Sequence, residues 1–239
     1  MLKFCHKIVK IGDFIMVKIN AFTLAETLIT LSIIGIVAAL TIPSLISKHE
    51  KRTTALRVKK AYSELYQALT LSQTKNGPIA EWNYSNTDNI DNNRQFIKKY
   101  ILPYYKLQEC STQHNNNCGL SVSDTAINYI LPNGTGISIK PYAQTIYVLI
   151  DVNGGKKPNY QGRDAFYFCT KDNKLVATGW NIENTRDDIL NGKAVFNNEP
   201  CLCKKYDKND TENPIYLQRR CCTPLLILDG WEFKDDYPW

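Results

Sequence analysis

The sequence predicts an α+β protein: one long N-terminal helix, its first half transmembrane, packed on an antiparallel β-sheet. Three observations predict it. From Thr27 to Ile46 only Thr, Ser and one Pro interrupt Leu, Ile, Val, Ala and Gly. From Val58 to Ser72 apolar residues recur at three- and four-residue spacing. Between residues 127 and 178, five β-rich segments alternate with turn-forming ones.

The 239 residues, 44% hydrophobic and 22% charged, suit one folded domain plus a membrane segment. The net charge of +6 is local. Residues 48–76 carry seven Lys/Arg against Glu50 and Glu64, and residues 1–21 carry four Lys against Asp13. Residues 77–239 are close to neutral, so no specific nucleic-acid binding is expected of them. Of the eight cysteines, seven follow the apolar run: Cys110, Cys118, Cys169, Cys201, Cys203, Cys221 and Cys222. That placement suits an exported domain stapled by disulfides, with one thiol left free or bonded to another chain.

The apolar run is about 30 Å long as a helix, the thickness of a bilayer's hydrocarbon, and shows no polar face. A removable signal peptide is the rival, with Val37 to Ala39 as small residues for cleavage. Against it, Glu26 stands between the early lysines and the run, and the run continues through Leu40, Ile42 and Leu45. The amphipathic segment follows directly, with Val58, Ala61/Tyr62, Leu65, Ala68/Leu69 and Ser72 on one face. Lys59, Lys60, Glu64 and Gln67 lie on the other, and Asn76-Gly77-Pro78 ends the helix. Residues 90–107 read as a short helix, within a polar stretch that otherwise reads as loop. Strands are expected at 127–131, 136–140, 145–152, 165–169 and 174–178. Residues 1–15 carry no recognisable signal.

"AFTLAETLITLSIIGIVAALTIPSLI" resembles the N-terminal processing and methylation motif of type IV prepilins and type II secretion pseudopilins. The match comprises Ala21 before Phe22, the following Thr-Leu, Glu26 four residues beyond Phe22, Gly35 in mid-run and Pro43 at its far end. The usual glycine before the cut is here Ala21, which would slow processing. The resemblance implies a pilin-like fold and cleavage by a prepilin peptidase between Ala21 and Phe22, with methylation of the new amine. It divides the chain into a 1–21 leader, a 22–76 helix and a 77–239 extracytoplasmic domain. Met16 opens "MVKINA", a short leader, and is the expected true start. In a packed filament Glu26 would neutralise a neighbour's Phe22 amine, making its charge tolerable in an apolar setting. Pro43 removes a backbone donor and permits a kink during extraction from the membrane. One tension remains: Lys48, Lys51 and Arg52 lie on the side the resemblance places outside.

Other sites compete with plainer explanations. "DVNGGKKPNYQGRD" gathers oxygen ligands Asp151, Asn153, Asn159 and Asp164, which suits calcium, but turn chemistry explains the same residues. No cofactor is therefore expected, with calcium the alternative. Cys201, Cys203, Cys221 and Cys222 would make either a four-thiolate zinc site or disulfides between the two clusters, with Cys110–Cys118 closing a short loop. Beyond the leader the histidines are His49 and His114, and no catalytic motif accompanies them or Cys169, so no enzyme is expected. Trp231, Tyr237 and Trp239 either pack the C-terminal tail or contact a partner. The expected function is a filament subunit in the inner membrane, with other pilin-like subunits as partners. The alternative is a membrane-anchored binding module that does not polymerise.

Overall fold

The computed structural model describes residues 8–11, 14–17, 23–110, 118–179, 183–196, 199–205, 207, 209 and 218–239. Its contacts divide the chain into two units, Met1–His49 and Glu50–Trp239. In the first, β1 (Ile8–Ile11) pairs antiparallel with β2 (Phe14–Val17), a hairpin not expected from the sequence. Two short β-favouring runs around Gly12-Asp13 are a weak signal, too short to set a period.

Helix α1 runs from Leu24 to Asn76, as one continuous element through Pro43. Its start is a reciprocal capping box. The Thr23 N–H and hydroxyl both donate to the Glu26 carboxylate at 2.9 Å, and the Glu26 N–H donates to Thr23 Oγ1. Within the apolar half, the hydroxyls of Thr27, Thr30, Ser32 and Thr41 bond to carbonyls three or four residues back. Satisfied inside the helix, they add little polarity to an element otherwise fit for hydrocarbon. Leu28, Leu31, Ile34 and Leu40 are exposed here, as are their apolar neighbours.

In the second unit α1 presents the expected stripe, with Val58, Ala61, Leu65, Ala68, Leu69 and Ser72 all buried. It lies against a six-stranded antiparallel meander in sequence order. The strands are β3 (Gln108–Glu109), β4 (Ile127–Ile130), β5 (Gly136–Tyr142), β6 (Thr145–Asp151), β7 (Ala165–Lys171) and β8 (Lys174–Ala177). The α+β class expected from the sequence is thus the one observed. Register puts Ile137 beside Ile150 and Phe166, and Ile139 beside Val148 and Phe168, as rows of one buried face. Tyr62 joins helix to sheet: its ring lies 5.3 Å from Phe168 and its hydroxyl donates to the Leu175 carbonyl.

Two hairpins turn through pairs of left-handed residues, Ala143-Gln144 and Asp172-Asn173, which matches the twist of the flanking strands. Helix α2 covers Ile90–Tyr100 and stops short of the expected 107. Pro103 lacks an N–H and restricts the residue before it, so the helix unwinds in a turn. Asn89 caps it by accepting the Asn92 N–H at 2.8 Å. Helices α3 (Arg186–Leu190) and α4 (Cys222–Leu228) and the short pair β9 (Val195–Phe196) and β10 (Glu199–Pro200) complete the unit. Arg186 clamps α3 to the C-terminal segment through Asp229 and Asp236.

Leu65 is fully buried between helix and sheet, whereas Leu56 on the same helix is 58% exposed. Leu65→Ala is expected to lower the unfolding free energy by about 2–5 kcal/mol, and Leu56→Ala to change it by no more than about 0.5 kcal/mol. Urea unfolding of the full chain in detergent, followed by tryptophan fluorescence, measures both.

Candidate functional site

The β6–β7 connection, residues 152–164, carries the oxygen-rich segment. Asp164 organises it. Its Oδ2 accepts the Asn159 N–H at 2.7 Å and the Asn153 Nδ2 at 3.1 Å, and its Oδ1 accepts the Tyr160 N–H at 2.6 Å. Asp151, 1% exposed, accepts the N–H groups of Leu120 and Asn153. The four residues predicted from sequence therefore do come together, but as a hydrogen-bonded turn. All four carboxylate oxygens already face N–H donors, and a calcium ion would have to displace them. The side-chain oxygens of Asn153 and Asn159 are buried without a partner among the described residues. Those two oxygens are what the calcium alternative has in its favour. No group of three His, Cys, Asp or Glu residues poised to hold a metal occurs among the described residues.

A disulfide knot supports this loop. Cys201 bonds Cys221 and Cys203 bonds Cys222, so no thiolates are left for the zinc alternative; Cys110 bonds Cys118, and Cys169 is free. Gly162 has φ +78°, and a Cβ there would run into Cys222, so only glycine lets the loop approach the knot. Arg219, 3% exposed, donates to the carbonyls of Gln161, Lys204 and Pro238, tying loop, knot and C-terminus together. Burial lowers its pKa from the ordinary guanidinium value. Tyr237 is buried and donates to the Gly162 carbonyl at 2.6 Å, and Trp231 packs 5.1 Å from Tyr62. Trp239 sits edge-on to Phe233, with Lys51 and Arg163 over its ring. These three aromatics pack the tail. Arg219 was not singled out from the sequence, because the Arg219-Arg220 pair carries no local pattern that tells a buried arginine from a solvated one.

The N-terminal residues are distributed differently. Ala21, Phe22 and His114 lie outside the described residues. Glu26 already has Thr23 as a partner, Gly35 faces open space, and Pro43 lies within α1.

Together these features define an α+β protein that has, among the described residues, one helix long and apolar enough to cross a membrane, and a disulfide-stapled sheet unit. The chain belongs to DUF6613, a family of unknown function, whose match covers residues 44–239. No curated protein and no solved structure matches it.

Burial raises the Asp151 pKa to about 6, and the nearby Asp164 carboxylate adds to the rise. A raised carboxyl pKa means the folded state binds the proton more tightly than the unfolded one. Its contribution is complete below about pH 4 and is lost as pH rises through about 6; the difference amounts to about 3 kcal/mol. Asp151→Asn is expected to remove that part of the pH dependence, read from urea unfolding at stepped pH. Excess chelator is expected to leave Tm unchanged; a fall in Tm on chelation would instead favour calcium at Asn153 and Asn159.

Proposed function

We propose that the chain is a structural subunit of a type IV pilus-like filament or type II secretion pseudopilus. The observation that carries this is the motif from Ala21 to Pro43, set at the head of a helix whose second half is the spine of a sheet domain. The family match begins at residue 44, so the reading rests on the upstream residues and on the way one helix serves both roles. A prepilin peptidase cuts between Ala21 and Phe22 at the inner membrane, and the sheet domain stands on the extracytoplasmic side. Three disulfides support an oxidising compartment for that domain. Assembly then proceeds as apolar helices leave lipid for each other, with Glu26 drawn to a neighbour's Phe22 amine. No catalysis and no cofactor enter this mechanism.

One observation favours the second reading, a single-pass anchored module that stays monomeric. The Glu26 carboxylate is already satisfied by the Thr23 N–H and hydroxyl, so its presence does not by itself demand an external amine. Two substitutions separate the readings. Glu26→Gln keeps a side chain able to complete the capping box but removes the charge. Glu26→Ala removes both, at a helix cost of about 1 kcal/mol. If the charge pairs between subunits, wild type forms filaments and both variants lose them; if the chain is a monomeric anchor in which Glu26 only caps, none of the three forms filaments and Glu26→Gln keeps wild-type stability. Intact mass of the membrane-extracted chain, with and without prepilin peptidase, supplies the companion test. A mature species beginning at N-methyl-Phe22 is expected, and a chain retaining its leader under both conditions overturns the proposal.

A further inference from the structure

The loop joining α1 to α2 borders two clefts, of about 500 and 290 Å³, that meet at Asn83 and Ser85. Tyr84, Asn86 and Gln144 wall the larger one, and Gln95 and Lys99 of α2 wall the smaller. The amide side chains of this region fall into two sets. Asn89 caps α2, Asn92 binds Ser85 and Thr87, and Asn93 binds Asp88 and the Thr125 carbonyl. Asn83, Asn86, Gln95 and Gln144 are exposed, and their amides have no hydrogen-bond partner among the described residues. All four of these border the clefts.

The walls are set in advance. The Asn83 N–H donates to the Tyr100 hydroxyl, and the Trp82 indole donates to the Gly77 carbonyl. The Trp82 and Tyr100 rings stack at 4.6 Å beneath them. Gln144 comes from outside the loop: the β5–β6 turn, in which it and Ala143 both hold positive φ, brings its amide to the larger cleft.

We propose that the paired cleft binds a neutral saccharide. A planar amide donates and accepts from one group, which matches the neighbouring hydroxyls of a sugar ring. The half-buried Tyr84 ring adds an apolar wall, its hydroxyl being buried away from the cleft. Nucleic acid would call for cations, and the linings offer only Lys99, with Glu81 opposing it in charge. The inference is independent of the assembly reading, since none of these residues lies in the 21–43 motif.

The test is an array of neutral mono- and disaccharides probed with the full chain in a detergent that has no sugar headgroup, followed by titration of any hit. Binding of at least one sugar is expected, weakened tenfold or more by Asn83→Ala and by Gln144→Gly. Gln144→Gly relieves the turn, so its Tm should stay at or above the wild-type value while binding falls; that opposition excludes simple unfolding. No binding of any sugar up to about 10 mM overturns the proposal. So does binding that both variants leave intact.

Discussion

Burial of one stripe of α1, from Ala55 to Ser72, against the sheet is the contact on which the second unit depends. Without it Val58, Leu65 and Leu69 would stand in water, and the inner rows of β5, β6 and β7 would have no cover. At about 25 cal/mol per Å² of apolar surface, no surface ion pair in the unit competes with that term. The features that fix direction sit around it: Tyr62 bonded to the β8 carbonyl of Leu175, and Arg57 donating to the Val152 carbonyl. These polar contacts select one seating of helix on sheet from several that would bury similar area.

The same helix carries a different chemistry at its other end. There the apolar residues have no cover among the described residues, and the Thr and Ser hydroxyls turn inward to their own carbonyls. Glu26 is the one charged group in this stretch. Its capping box gives it a local partner in the single subunit, and the proposed neighbour amine would have to compete with Thr23 for it. If the proposed assembly holds, capping and assembly would be alternative uses of one carboxylate, with Thr23 the residue that links the two.

The disulfide knot and the buried guanidinium of Arg219 do for the C-terminal segment what the apolar stripe does for the sheet. Residues 199–205 and 218–239 contain little regular structure, and a chain of that kind buries few backbone groups in ladders. Two covalent links and three carbonyl contacts from one arginine replace them. The β6–β7 loop is seated on this knot through Gly162, so the oxygen-rich turn is shaped by the tail as much as by its own residues.

How much was legible in the sequence follows from the range of each force. The α1 stripe, the five long strands and the Asp-Asn turn were legible because period, β-branching and turn preference act within a few residues. The end of α2 at Tyr100, the helices α3 and α4 and the strands β3, β9 and β10 were not, since each is too short to show a period and exists through distant contacts. Among the candidate sites, the sequence by itself placed Asp151, Asn153, Asn159 and Asp164 on one loop. Only the tertiary structure decided that backbone N–H groups take up the two carboxylates, because Leu120 is brought to Asp151 from a separate segment. The cleft at Asn83 was likewise invisible as a polar loop: its fourth amide, Gln144, is some sixty residues away and arrives only when the β5–β6 turn folds beside it.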